Sequence, residues 1–413
     1  MRRSLDRAIG FLRHISTRQL LALCAAVVAI GAGGTALALA ATGGGSTPPP
    51  KDLPVAIHDA LAAPQVQGVT ARIEFTNHLV SSADVQGGSP LLSGASGRLW
   101  ASSDGHLRLE LQADASKGGA TSDAQLLSDG HQVTLFDSGT NTVYKADLPA
   151  GDKQDSGAAM KEQPPSVAEI QKQLTKVMEH ASISGAQPSD VAGRPAYTVR
   201  IEPKQNGGLV GGAELAWDAI HGSPLRVAVY AQGDSSPVIE LKVTDISYGP
   251  VSSSVFDVAP PSGAKVMDLT KSSVAGEQNG GDQQGGKAEP PPVTGLDQVQ
   301  KSVSFKLAAP DSLAGRSRNE VRLIHSGDQP AALVTYGVGL DGIVVLEQPA
   351  DTEQASSGDQ SQVSLPAVSI NGVQGEELQT PLGTLIRFQR GGVAYSLIGS
   401  MSSATAQAAA QGL

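Results

Sequence analysis

Along much of this chain apolar residues recur at every second position, and turn formers bound each run. Val69, Ala71, Ile73 and Phe75 alternate with Thr70, Arg72, Glu74 and Thr76, the period of a strand with one wet face. Leu107, Leu109 and Leu111 alternate with Arg108 and Glu110 in the same way. Val133/Leu135, Tyr197/Val199/Ile201, Leu215/Trp217, Val227/Val229 and Ile239/Leu241/Val243 continue the series. Asp104-Gly105 and Asp129-Gly130 sit between such runs, where a tight hairpin needs residues that tolerate positive φ. Together these predict about nine or ten antiparallel strands over residues 54–269.

Helical spacing interrupts the alternation in few places. A short helix is expected over 55–62. A second begins after Pro164-Pro165, where Ser166-Val167-Ala168-Glu169 reads as a capping box that satisfies two orphan amides reciprocally. Val167, Ile170, Leu174, Val177 and Ala181 then share one face, which is expected to pack on the sheet. Residues 295–413 repeat the style on a smaller scale. Runs over 331–338 and 343–347, and over 384–389 and 393–398, predict two hairpins. An alanine-rich tail from residue 404 is expected to be a short helix or to fray. The fold class that follows is mainly β with few helices.

The first fifty residues follow another rule. Arg2, Arg3, Arg7, Arg13 and Arg18 precede an uncharged stretch over 20–42, about long enough to cross ~30 Å of hydrocarbon as a helix. Positive charge stays inside, so 1–19 reads as a cytoplasmic tail, 20–42 as a single-pass signal-anchor and the rest as extracytoplasmic. Ala38-Leu39-Ala40 also suits a processing site, so a cleaved signal peptide and secretion is the alternative. Cys24, the single cysteine, lies inside this stretch and leaves no disulfide for the exported part. Residues 43–53 read as a spacer, and 270–294, without apolar periodicity, as a disordered linker. They bound a first domain at 54–269 and a second at 295–413.

Composition narrows the partners. Apolar residues make up 40% of the chain but aromatic residues only 3%, so its cores must be aliphatic. A formal charge of −10 argues against nucleic acid, whose phosphates need a basic surface. Nothing assembles into catalysis or calls for a cofactor. The sequence has no Cys-x-x-Cys, no His-x-x-x-His, no nucleophile elbow and no phosphate loop in a strand–helix context. Its histidines are scattered singly and read as solvated, and Asp129 and Asp218 as turn formers. Binding remains. Two short helices are too little cover for nine or ten strands, so a curved sheet leaves an apolar cavity suited to acyl chains; a sheet folded on itself leaves none.

A succession of stretches resembles the lipoprotein-carrier (LolA) superfamily, which includes RseB-like sigma-factor regulators. It runs from Val66-Gln67-Gly68-Val69 through Gly97-Arg98-Leu99-Trp100, Leu127-Ser128-Asp129-Gly130 and Val191-Ala192-Gly193-Arg194-Pro195. It ends with Trp217-Asp218, Gly222-Ser223-Pro224-Leu225-Arg226 and Phe256. The resemblance covers about half of the chain. It implies a strongly curved antiparallel half-barrel closed by helices, with an apolar cavity for the acyl chains of lipids or lipoproteins. By the same resemblance the alternative is a regulator that binds an anti-sigma factor or another envelope protein. Val69, Ile73, Phe75, Leu107, Leu109, Leu111, Leu215, Trp217, Val227 and Val229 are the candidate cavity residues. The stretch 336–345 is loosely similar to a hairpin of the smaller C-terminal domain of RseB.

Overall fold

Strand alternation becomes pairing through the burial of one face. In the computed structural model, Val69, Ala71 and Ile73 are 7%, 3% and 3% exposed, while Thr70, Arg72 and Glu74 between them face solvent. Residues 47–80, 90, 94–113, 122–139, 141–147, 164–179, 181–204, 208–259, 261–268, 293–326, 329–339, 342–350 and 365–413 are described. The expected basic tail, membrane anchor and Cys24 lie outside them, as does nearly all of the expected linker. Among the described residues no helix is long and apolar enough to cross a membrane. The chain divides into two compact units, Met1–Asn206 with Val210–Met267, and Gly207–Leu209 with Asp268–Leu413.

In the first unit α1 (Leu53–Ala62) leads into β1 (Gly68–Asn77), β2 (Ala95–Ser102), β3 (Leu107–Ala113), β4 (Asp123–Ser128), β5 (Gln132–Asp137) and β6 (Thr142–Asp147). Then come α2 (Val167–Met178), β7 (Ala181–Ile183), β8 (Gln187–Val191), β9 (Arg194–Pro203), β10 (Val210–Asp218), β11 (Pro224–Ala231), β12 (Pro237–Tyr248) and β13 (Lys265–Asp268). All belong to one 13-stranded sheet in the order β13-β6-β5-β4-β3-β2-β1-β12-β11-β10-β9-β7, with β8 pairing β9. The path does not close on itself, and the sheet is a curled half-barrel. The strands beyond the nine or ten expected include β7, β8 and β13, of 3, 5 and 4 residues. Runs so short barely express a period of two.

Curvature has local causes. Between Arg72 and Ile73 the register with β12 slips, so that Ile73 faces Val243 while Arg72 faces Asp245. Thr244 is the extra residue of this bulge, and bulges bend a strand and raise its twist. The slip also turns Val243 and Ile246 to one face, since their partners Ile73 and Ala71 share one. Similar slips occur where β10 meets β11 and where β11 meets β12.

The outward side of β9–β12 is laced by charge. Glu214 accepts from Arg226 and, at 3.1 Å, from Arg200, while Arg226 also donates to Tyr230 at 2.7 Å. Burial pushes the Glu214 carboxyl up, but bonds from Arg226 and Tyr230 outweigh it and hold the group below its ordinary range. The expected alternation at Arg108 and Glu110 is blurred for a related reason. Both are half-buried, because Arg108 pairs with Glu110 and donates to the Val255 carbonyl at 2.7 Å.

The capping box of α2 forms as expected. Ser166 N–H donates to Glu169 Oε2 at 2.8 Å and Glu169 N–H donates to Ser166 Oγ at 3.3 Å. The helix is shorter than its stripe implied. It ends at Met178, Ala181 opens β7, and Val167 is 37% exposed. Ile170 is buried, and Leu174 and Val177 pack on the cluster formed by α1, β9 and β10.

The second unit contains α3 (Leu296–Ser302), β14 (Ser312–Leu313), β15 (Arg316–Ser326), β16 (Gln329–Tyr336), β17 (Ile343–Pro349), β18 (Ala367–Ile370), β19 (Val373–Thr380), β20 (Gly383–Arg390), β21 (Val393–Gly399) and α4 (Ser403–Gln411). Its eight strands run β14-β15-β16-β17-β21-β20-β19-β18, each paired antiparallel to the next. Both expected hairpins are present. Gly391 and Gly392 turn β20 into β21 at φ 59° and 77°, the sign that a tight two-residue turn demands. Ala406, Ala409 and Ala410 of α4 are wholly buried in the core of this unit, so the tail is anchored.

One contact ties α1 to the half-barrel. The turn after β10 brings Gly222, at φ +68°, so close to α1 that a Cβ there would stand 2.2 Å from the Ala60 carbonyl oxygen. A Gly222→Ala variant is expected to lose about 2–4 kcal/mol, from clash and positive φ together. Denaturant unfolding monitored by Trp217, which lies beside α1 in the core, measures it.

Candidate functional site

The site follows from which side of the half-barrel the aliphatic residues share. Cross-strand partners place Ile246, Ala71, Leu99, Leu109, Leu126, Leu135 and Tyr144 side by side on β12, β1, β2, β3, β4, β5 and β6. With ~4.8 Å between strands, six steps make a row about 29 Å long across the sheet. Ile246 and Ala71 are buried at 8% and 3%, whereas Leu99, Leu109, Leu126, Leu135 and Tyr144 are half-buried. The row therefore starts in the core and is half-buried from β2 to β6.

A cavity of about 90 Å³ occupies its buried end. Its walls come from β1, β2, β11 and β12, with Val69, Ala71, Ile73, Leu99, Leu225 and Val243 prominent among them. Sites that enclose a whole small ligand run to about 300–1,000 Å³. The hollow expected from the sequence is thus much smaller than a full acyl chain requires, because neighbouring aliphatic side chains fill most of the interior. Beyond this hollow the half-buried row continues across β2 to β6.

Of the candidate residues, Val69, Ile73, Leu107 and Val227 line this cavity. Leu111 is buried in the cluster behind it, and Phe75 and Leu109 pack against that cluster. Leu215 and Trp217 stand elsewhere. At 5% and 2% exposure they belong to the core beneath α1 and α2, where Trp217 meets the Tyr197 ring at 6.1 Å. Val229 is half-buried between Ala213 and Ile239 on adjacent strands. Ala71 and Leu99 also line the wall and are not among the candidates, although Ala71 shares the alternation of Val69 and Ile73. Ile246 carries no such signal, since only the bulge at Thr244 brings it to this face.

The cavity has a polar end, formed by Ser102, Ser103, His106 and Ser223 among its lining residues. The Ser102 hydroxyl bonds Asp104, and the His106 ring nitrogen Nδ1 lies 3.0 Å from the same carboxylate. These two contacts, in that order, hold Asp104 down at about 2. It is anionic at any physiological pH. His106 also lies 5.5 Å from the Phe256 ring.

Next to this end stands a buried polar cluster. Asp218 Oδ1 accepts from the amides of Ile220 and His221 at 2.8 and 2.9 Å, and Oδ2 accepts from the Tyr248 hydroxyl at 2.9 Å. This is the expected turn-forming role of Asp218, performed in the interior at 1% exposure. His221 is not the solvated histidine that its isolation in the sequence suggested. It stacks on the Tyr248 ring at 3.9 Å, while Arg194 lies over that ring at 5.1 Å. Burial first, then the Asp218 charge, raises the Tyr248 hydroxyl well above its ordinary range, so it stays a donor. The cluster fixes the turn that carries Gly222 and Ser223 and so shapes one wall of the cavity. Among the described residues no group of three or more His, Cys, Asp or Glu side chains converges as a metal site.

No protein-family model matches the chain, and no curated protein matches it. Solved structures similar to it include MucB in complex with MucA(peri), at 15% identity and TM-score 0.38, covering 83% of this chain and 91% of that one. The Pseudomonas aeruginosa MucA/MucB complex matches at 16% identity and TM-score 0.38, over 86% of this chain and 95% of that one. A putative outer membrane lipoprotein-sorting protein domain from Vibrio parahaemolyticus matches at 10% identity and TM-score 0.22, over 50% of this chain and 96% of that one.

Proposed function

We propose that this protein binds acyl chains of lipids or lipoproteins outside the cytoplasm, while its N-terminal segment holds it at the membrane. The observation that supports this most is the aliphatic row that begins in a small apolar cavity and continues, half-open, across β1 to β6. One leaflet of a ~30 Å hydrocarbon core is about 15 Å deep, so a row of about 29 Å exceeds the depth that an acyl chain occupies there. The methyl end enters the cavity beside Ala71 and Ile73, and the rest of the chain lies over Leu109, Leu126 and Leu135. Burial of such a chain yields about 0.8 kcal/mol per methylene removed from water. Affinity therefore grows with chain length rather than with any one contact. A tethered protein of this kind senses lipid or hands it over near the bilayer.

Extraction and mass spectrometry of the purified chain are expected to find co-purifying acyl compounds. In fluorescent fatty-acid binding, Ala71→Phe fills the cavity and is expected to weaken binding about tenfold or more, at a packing cost of ~1–3 kcal/mol. Unchanged affinity in a folded variant would remove the cavity from the site. Leu135→Asp puts a charge in the open part of the row. It is expected to weaken palmitate while leaving octanoate nearly unaffected, and equal effects on both would rule out the extended placement. Leu215→Ala serves as the contrast. It should cost about 2–5 kcal/mol of stability with unchanged binding per folded molecule. Displacement of the probe by an apolar peptide but not by fatty acids would point instead to an envelope protein partner.

A further inference from the structure

The second unit holds a carboxyl group in a place where a carboxyl group is costly. Glu347 on β17 is 0% exposed, and its partners across the sheet are Ala332 on β16 and Tyr395 on β21. Its Oε2 accepts the Ala308 amide at 2.8 Å. Among the described residues, Oε1 has no hydrogen-bond partner, nor does the hydroxyl of Tyr336, another wholly buried residue of the same core. A buried ionised carboxylate with an unmet oxygen carries a large desolvation cost.

Ala308 lies in the irregular segment 303–311, between α3 and β14, which has no ladder of its own. Side chains hold it instead. Gln300 accepts from the Leu307 amide at 3.0 Å and donates to the Phe305 carbonyl at 2.8 Å. Arg318 donates to the Ala309 carbonyl and, at 2.8 Å, to the Asp311 carboxylate. Glu347 is the third holder, at the middle of the strap.

We propose that Glu347 is a pH-sensitive clamp, whose charge state sets how firmly the strap 303–311 is held on the core of the second unit. Burial pushes its carboxyl up to about 7, against the smaller downward pull of the Ala308 amide. The groups that face it are few. Tyr336 and Tyr395 are raised, chiefly by burial and then by the Glu347 charge, while Arg318 and Asp311 act on Tyr336 and Arg390 acts on Tyr395. Glu377 of β19, on the same side of the sheet, is bonded to Gln379 and Gln407. Asp297 and Lys301 of α3 and Lys306 of the strap face solvent, and α4 has no titratable side chain.

The sign follows from linkage. The closed state keeps its proton up to about 7, whereas an opened, solvated Glu347 releases it near 4.5. Closure is therefore firmest below the lower value, weakens as pH rises between the two, and changes no further above the upper one. At most it weakens by about tenfold per pH unit. Hydrogen exchange of the 303–311 amides in the full chain, corrected for intrinsic exchange, measures the opening equilibrium. It is expected to rise several-fold per unit between pH 5 and 7 and to level off by pH 8. Glu347→Gln removes the titration and should flatten the profile, while Glu347→Asp keeps a carboxyl and should retain a slope. A flat wild-type profile, or a slope that survives in Glu347→Gln, overturns the proposal, as does an Asp variant that folds without any slope.

Discussion

Uneven cover governs the first unit. An antiparallel sheet with one aliphatic face has to bury that face, and a 13-stranded path offers far more of it than α1 and α2 reach. The two helices settle on β9 and β10, where Tyr197, Val199, Leu215 and Trp217 form a core around Leu53, Ala56 and Ala60. The middle of the sheet is buried by its own curl, through aliphatic contacts among β1, β2, β3, β11 and β12. Toward β6 neither device acts fully, and residues of the same row remain half-buried. Cavity and open row are two consequences of that one shortage.

Curl in turn depends on irregular strand pairing. A flat ladder across β1, β12, β11 and β10 would keep neighbouring inward side chains apart. The slips at Arg72/Ile73, Val229/Tyr230 and Ala216/Trp217 bend the sheet where the cavity forms. The Asp218 turn adds rigidity at one rim, since its carboxylate meets two amides and the Tyr248 hydroxyl. Gly222 at positive φ then lets that turn touch α1. A polar knot centred on Asp218 thus supports an apolar wall.

The second unit solves the same problem differently. Its sheet carries α3, α4 and the strap 303–311 on one side, and the core residues Tyr336, Ile343, Val345 and Leu397 are wholly buried. Packing is complete enough that Glu347 is left with one amide for company. An aliphatic residue at that position would pack without such a cost.

Much of this architecture was legible in the residues themselves. Alternation at Val69 to Phe75, the Ser166–Glu169 box and the Gly391-Gly392 turn each specify local geometry through contacts within a few residues, so sequence spacing was enough. What spacing does not encode is which strand lies beside which. Ile246 reaches the row only because Thr244 is bulged, and Leu215 and Trp217 leave it for a core closed by two helices, although both share the alternation of residues that line the cavity. Glu347 likewise reads as an ordinary polar residue at the end of a strand until β16, β21 and a strap from another part of the chain surround it. Local alternation decided that there are strands with one greasy face. Long-range pairing, bulges and the shortage of helices decided where that face stays open, because those are properties of distant segments meeting.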